Sequence, residues 1–308
     1  MKVLVTGGAG YIGSVAVKTL LENGHQVSVV DNLSRGRREL IPEQVRFFKN
    51  DLTQDLTGVF KDSKYDAVIH FAAYKAVEES MTDAVKYSDN ITGTINLLNY
   101  MVKYNVPKII FSSTAAVYGE SNEVLTENSK TDPANFYGFS KLECERIIEW
   151  YNKIHGINFT NLRYFNVAGD VLGYVDPNAK NVFPIIIETI NGKRNKFTIF
   201  GNDYDTKDGT CIRDYIHVQD LVDAHILCLD SNYNGVINIG SGNGFSVNEL
   251  IESFKRISKK DFPVAYLDRR PGDAICVIAS NQKAKSILGW TPKKSLNDMI
   301  TSSLEVWK

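Results

Sequence analysis

Short, β-branched apolar runs alternate along the first half of the chain with longer stretches in which apolar residues recur every three or four positions. The runs are VLVT (3–6), QVSVVD (26–31), VRFF (45–48), DAVIHFAA (66–73), KIIFSS (108–113) and NFTNLRYF (158–165). Between them lie YIGSVAVKTLLENG, a long helical segment ending near Tyr104, and a helix after Pro133. Strand, helix and strand at this pitch predict an α/β fold built on a doubly wound parallel sheet. Runs such as VLVT and VSVV carry no polar alternation, which fits strands buried on both faces. After Asn166 the pattern shortens: a helix near Phe183 to Asn191, the strand FTIF, the polar loop GNDYDTKDGT, then RDYIHV, VINIG and three further helical patterns. The expected division is a first domain over residues 1–165 and a smaller α+β lobe over 166–308, with segments near 215–240 returning to the first sheet.

VLVT runs directly into GGAGYIG, where Gly7, Gly10 and Gly13 form G-x-x-G-x-x-G at the head of a helix. Glycines let the backbone turn tightly and approach a pyrophosphate, which the amide groups and the positive end of the helix attract. Asp31 closes the second strand, and a carboxylate there accepts hydrogen bonds from both adenine-ribose hydroxyls and repels a 2′-phosphate. NAD is therefore favoured over NADP, with Arg35, Arg37 and Arg38 as the counter-argument, since arginines just past this strand can pair with that phosphate. Asp51 and Leu52 fall near the adenine. Phe71, Ala72 and Ala73 close the strand end that a cofactor would lie against, so residues 1–165 read as an NAD-binding, Rossmann-type domain.

The stretch NFYGFSK places Tyr137 and Lys141 four residues apart, on one face of a helix. That spacing alone is common and ordinarily means an exposed surface pair. Tyr104 and Lys108 repeat it, with Pro107 between them to interrupt any shared helix. What sharpens Tyr137 is KIIFSSTAAVYG, which delivers Ser112, Ser113 and Thr114 from a strand end to the same rim. A nearby ammonium and an oxidised nicotinamide would lower a phenol pKa from near 10 and make Tyr137 a proton acceptor beside a hydride acceptor. Thr114 would align the sugar hydroxyl, and later the ketone oxygen, with the phenol.

Composition narrows the partners. The 308 residues are 43% hydrophobic and 23% charged with a formal net charge of -1, so a sizeable core forms and no basic field draws the chain to nucleic acid. Cys144, Cys211, Cys228 and Cys276 lie far apart with no C-x-x-C, so neither metal binding nor a disulfide framework is expected. No apolar run approaches a membrane span, and Gly7 arrives before a signal-peptide core develops. The expected setting is cytoplasmic and reducing.

VLVTGGAGYIGS, VVDNLS, VIHFAAYKAVEES, FSSTAAVYG, YGFSK, LRYFNVAG, IFGNDYDTKDGTCIRDYIHVQDL and RRPGD together carry a resemblance. The chain resembles the extended short-chain dehydrogenase/reductases and, within them, the UDP-galactose 4-epimerases along practically its whole length. The glycine-rich turn and Tyr-x-x-x-Lys mark the superfamily, and the segment from IFGNDY to RDYIHV is far more specific. The resemblance implies an isomerase that abstracts a hydride from sugar carbon 4 to NAD, lets the 4-keto sugar rotate, and returns the hydride. It assigns catalysis to Thr114, Tyr137 and Lys141. It assigns NAD contacts to Gly7, Gly10, Tyr11, Ile12, Gly13, Asp31, Asn32, Asp51, Leu52, Phe71, Ala72, Ala73, Lys75, Asn90, Ser112, Tyr137, Lys141 and Tyr164. UDP-sugar contacts fall on Lys75, Thr114, Tyr137, Asn166, Asn181, Phe200, Arg213, Arg270, Asp273 and Val277. Apart from the resemblance, Arg213 and Arg270 read as solvated or ion-paired surface residues.

Related dehydratases carry acidic residues where this chain has Ala115 and Ala116, so elimination is not expected. Val277 stands where strict UDP-glucose enzymes often carry a large tyrosine, which suggests a roomier pocket. The rival readings are therefore a 4-epimerase of UDP-N-acetylglucosamine, UDP-xylose or UDP-glucuronate, and a non-catalytic NAD-sensing protein. The resemblance also implies a homodimer in which the helices of about Ala84 to Tyr104 and Lys141 to Tyr151 pair with their symmetry mates.

Overall fold

In the computed structural model the first half of the chain alternates strand and helix: β1 (Lys2–Thr6), α1 (Tyr11–Glu22), β2 (Gln26–Asp31), β3 (Arg46–Lys49), α2 (Thr57–Phe60), β4 (Ala67–His70), α3 (Val77–Ser80), α4 (Ala84–Lys103), β5 (Lys108–Thr114), α5 (Phe136–His155) and β6 (Asn158–Tyr164). The second half contributes β7 (Asn166–Ala168), α6 (Val182–Ile190), β8 (Phe197–Phe200), β9 (Ile212–His217), α7 (Val218–Asp230), β10 (Gly235–Ile239), β11 (Gly244–Ser246), α8 (Val247–Ser258), β12 (Val264–Leu267), β13 (Cys276–Val277), α9 (Gln282–Leu288) and α10 (Leu296–Val306). The structure describes residues 1–119, 121, 123–174, 181–270 and 274–306.

Seven parallel strands form the main sheet in the order β10-β6-β5-β4-β1-β2-β3. Its strands lack polar alternation because both faces are covered. Val3, Val5, Val29 and Ile69 face a layer that includes Val17 and Leu20 of α1, Leu221 and Ala224 of α7, and Ala284 of α9. Leu4, Val30, Val68 and Ile109 face the opposite layer, built from Val59 of α2, Leu97 and Leu98 of α4, and Ile148 of α5. The second half is thus shared between two places: α7, β10 and α9 cover or extend the main sheet, while a separate core gathers Phe183, Ile186, Phe197, Tyr215, Leu250, Phe254, Met299 and Ile300. In that lobe β9 is central, antiparallel to β11 and parallel to β13 and β7, and β8 pairs with β12.

Chain punctuation follows local chemistry. Helix α4 stops at Lys103, so Tyr104 and Lys108 fall on different elements, as Pro107 predicts. Asn135 caps α5 by accepting from the Gly138 amide at 2.8 Å, and Gly156, at φ +71°, ends it in the left-handed region that favours glycine.

A buried ion pair ties β6 and β5 to α5. Arg163 on β6 donates from Nε and Nη2 to the two carboxylate oxygens of Glu145 on α5, at 3.0 and 2.6 Å. Ser113 on β5 donates to the same carboxylate. Burial works against the guanidinium charge, yet the hydrogen-bonded Glu145 carboxylate more than offsets it and holds Arg163 above its ordinary range. Glu145→Ala strands that charge in the core and should cost about 3–5 kcal/mol in chemical denaturation. An unchanged denaturation midpoint would contradict this role.

Candidate active site

The first strand, turn and helix build an anion cradle. Gly7 sits at φ +66°, and a Cβ there would come within 2.7 Å of the Ala72 amide nitrogen. A Cβ on Gly13 would come within 2.2 Å of the Gly7 carbonyl, so close packing of the turn on α1 requires glycine at both positions. Helix α1 opens at Gly10 with no side-chain cap and no acidic residue in its first turn, which leaves its leading amides to an anion. Ile12 follows in that first turn. Tyr11 donates its hydroxyl to the carbonyl of Gly169, tying the turn to the segment after β7, and burial raises its pKa.

Asp31 ends β2, buried, with its carboxylate accepting from the amides of Ala9 at 3.0 Å and Leu33 at 2.8 Å. Burial raises its pKa, and those two amide bonds oppose the rise. The three arginines that argued for NADP are turned elsewhere: Arg35 lies 3.7 Å from Glu79, Arg37 sits 5.5 Å over Tyr174, and Arg38 donates to the carbonyl of Ile41 at 2.6 Å. Asn32 donates to Asp51 at 2.7 Å. Burial raises Asp51, but bonds from Thr53 and Asn32 outweigh it and bring the carboxyl below its ordinary range. Leu52 packs beside Gly93 of α4. Phe71, Ala72 and Ala73 leave β4 directly, Lys75 beyond them is exposed, and Asn90 on α4 shares its amide between the backbone of Tyr74 and Ser140. The uncapped helix, the glycine contacts and the buried carboxylate that ends β2 fit NAD.

The reactive groups meet at the end of β5. Gly138 lets α5 abut the turn after β5, since a Cβ there would lie 2.2 Å from the Ala116 carbonyl. Ser80 accepts from the Tyr137 amide at 3.1 Å, so the NFYGFSK stretch is held on both sides. Tyr137 hydrogen-bonds with Thr114, and Lys141, only 2% exposed, lies with Nζ 4.4 Å over the Phe111 ring. The expected lowering of the phenol does not arise from the protein's own groups. Burial pushes Tyr137 up to about 12, with the Thr114 hydrogen bond opposing. Burial likewise brings Lys141 down to about 8, against Cys144 and Glu145. For both groups desolvation is the dominant cause.

In the lobe, expected sugar-nucleotide residues come from β7, the start of α6, β8, β9 and β13. Asn166 on β7 is exposed and donates to the Asp214 carbonyl at 3.1 Å. Asn181 opens α6 without capping it through its side chain. Phe200 ends β8 under Arg270, whose guanidinium lies 3.8 Å over the ring. Val277 pairs in register with Arg213 and packs against a cluster that includes Val117 and Phe165. Asp273 lies outside the described residues.

Three buried groups that the sequence reading passed over support the site. Asp214 accepts from Ser241 and from the amides of Gly242 and Ala279. His70 binds Thr6 at 2.6 Å and Thr94 at 3.0 Å, and His225 meets Tyr164 and the Leu221 carbonyl. His70 alone interrupts an apolar run, AVIHFAA, while Asp214 follows Arg213 and His225 lies two residues after Asp223, so neither stands out locally.

A glycine-rich turn at a helix start, a buried carboxylate ending the second strand, and Thr114, Tyr137 and Lys141 at the end of β5 and the start of α5 are the features of a nucleotide-cofactor enzyme. The chain belongs to the NAD dependent epimerase/dehydratase family, whose model matches residues 3–240. It is 43% identical over 319 residues to the UDP-glucose 4-epimerase of Lacticaseibacillus casei, covering all of this chain and 96% of that protein. The structure of UDP-glucose 4-epimerase from Stenotrophomonas maltophila with bound NAD and formylated UDP-arabinopyranose superposes at a TM-score of 0.95, with 34% identity and coverage of 100% and 98% of the two chains. The UDP-Glc/GlcNAc 4-epimerase of Campylobacter jejuni superposes at 0.88, with 40% identity and coverage of 99% and 98%.

The buried imidazoles make stability depend on pH. Burial lowers His70 to about 3 and His225 to about 4, with Lys141 adding to the first and the Leu221 bond opposing in the second. Both lie below the unfolded value of about 6.5, so the unfolded chain binds more protons as pH falls. Their contribution is complete above about pH 6.5 and is lost as pH falls from there towards 4. Denaturation at pH 7 and pH 5 should differ by about 2 kcal/mol per imidazole; equal stability would show that the histidines titrate in the fold as they do in the unfolded chain.

Proposed function

We propose that the protein interconverts UDP-galactose and UDP-glucose with NAD as its bound cofactor. The observation that carries this reading is the hydrogen-bonded Thr114–Tyr137 pair beside buried Lys141, on the rim that also holds the glycine-rich turn and Asp31. Bound NAD supplies a hydride acceptor that later returns the hydride and, when oxidised, a positive ring that offsets the burial of the phenol. Tyr137 takes the proton from the hydroxyl on sugar carbon 4 and gives it back to the opposite configuration. Thr114 keeps that oxygen in line with the phenol, and Lys141 stabilises the phenolate and holds the nicotinamide ribose.

Rotation of a 4-keto sugar needs a firm hold on UDP and a loose one on the hexose. Arg213 and Arg270 suit the pyrophosphate, because guanidinium forks bind phosphate oxygens bidentately. Phe200 offers a ring at the same end, while Asn166 and Asn181 offer amides. Ala115 and Ala116 place no acid beside Thr114 to expel a hydroxide, so the site serves redox exchange rather than elimination. Val277, a modest side chain opposite Arg213, favours a second reading in which N-acetylated UDP-sugars are also accepted.

We further propose a cytoplasmic homodimer. Val85 on α4, 83% exposed, and Trp150 and Ile154 on α5, 60% and 67% exposed, are apolar side chains that a second copy would cover. Among the described residues no helix is long and apolar enough to cross a membrane.

Proton NMR of the anomeric region, with UDP-galactose and NAD far below the sugar concentration, should show UDP-glucose growing to a two-way equilibrium. Tyr137→Phe should slow that conversion at least about a hundredfold while NAD binding is kept. Near-normal turnover in the variant would remove Tyr137 from the chemistry.

A further inference from the structure

We propose that His225 is a positioning residue for the nicotinamide end of the cofactor, acting through Tyr164 and Ser112; the proposal rests on the NAD site described above. His225 lies on α7, fully buried, one turn after Leu221. Its Nδ1 is 2.8 Å from the Leu221 carbonyl oxygen. A carbonyl only accepts, so Nδ1 carries the ring proton and Nε2 is left with a lone pair. Nε2 meets the Tyr164 hydroxyl, which must therefore donate to it. The phenol oxygen then has only lone pairs to offer, and the Ser112 hydroxyl bonded to it is the donor.

One backbone carbonyl thus sets the polarity of a chain running from α7 through β6 to the end of β5. With its own hydrogen spent on Tyr164, Ser112 presents only an acceptor to the rim. The donor that fits such an acceptor is the N–H of a primary carboxamide, which nicotinamide carries. The rings of Phe71 and Tyr164 pack on the imidazole at centroid distances of 4.8 and 5.3 Å and hold its plane. Strand alternation supports the direction: Ile110 and Tyr164 belong to the α7 side of the sheet, as does Ser112, while Ser113 turns to Glu145 on the other side. Burial keeps the imidazole neutral, with its pKa lowered to about 4, so the polarity is the same throughout the neutral range.

The test titrates the full-length protein, freed of cofactor, with NAD and with ADP-ribose, which lacks only the nicotinamide. His225→Phe should weaken NAD about tenfold and leave ADP-ribose within about twofold, the scale of one lost hydrogen bond. His225→Gln, whose side-chain carbonyl can accept from Tyr164, should restore NAD to within about threefold, and adding Tyr164→Phe to His225→Phe should cost nothing further. Equal weakening of both ligands, unchanged NAD affinity in His225→Phe, or a Gln variant as poor as Phe would each overturn the proposal. Neither ligand requires a sugar to react, so these results are separate from the epimerase reading, which fails if wild-type protein binds NAD and epimerises no UDP-sugar.

Discussion

The Glu145 carboxylate, held from two sides by Arg163 and Ser113 in a space closed to water, ties α5 to β5 and β6. The groups proposed to react stand on those elements. Thr114 ends β5, and Tyr137 and Lys141 lie two turns and one turn before Glu145 on α5. A buried ion pair contributes little net stability once its desolvation is counted, but it has one good geometry. That geometry fixes how far α5 slides along the sheet, and so where the phenol stands relative to the hydroxyl it must meet. Gly138 against Ala116, and Ser80 against the Tyr137 amide, set the same helix at its other end.

Strand β5 divides the labour by its two-residue period. Phe111 and Ser113 face α4 and α5, where they carry the lysine and the framework carboxylate. Ser112 faces the α7 side, where it meets Tyr164. The cofactor rim and the structural clamp are therefore the two faces of one ribbon, and a disturbance of either shifts both. Burial acts on both members of the proposed proton-transfer pair. It raises the phenol and lowers the ammonium together, so the protein leaves Tyr137 protonated until a further positive charge reaches the rim.

The seven-stranded sheet was largely legible, because long apolar runs and the glycine-rich turn are local signals. QVSVVD and FTIF match β2 and β8 residue for residue, and VLVT falls one residue short of β1. Strands β7, β11 and β13, of two or three residues, were not legible, since so few positions carry no period and exist only through pairing with β9. The site showed the same divide. Tyr137 and Lys141 are neighbours by helix geometry, whereas Glu145 with Arg163, or His225 with Tyr164, are joined only by the fold. The direction in which the arginines after β2 turn was equally hidden, because it depends on Glu79, Tyr174 and the Ile41 carbonyl.

The central claim is that one hydride leaves carbon 4 and comes back to it without escaping the site. UDP-galactose carrying deuterium at carbon 4, converted in ordinary water, tests this most directly by mass spectrometry and NMR of the UDP-glucose formed. The account predicts that the deuterium is retained at carbon 4 of the product. Loss of the label to solvent would contradict hydride return and require inversion by proton exchange.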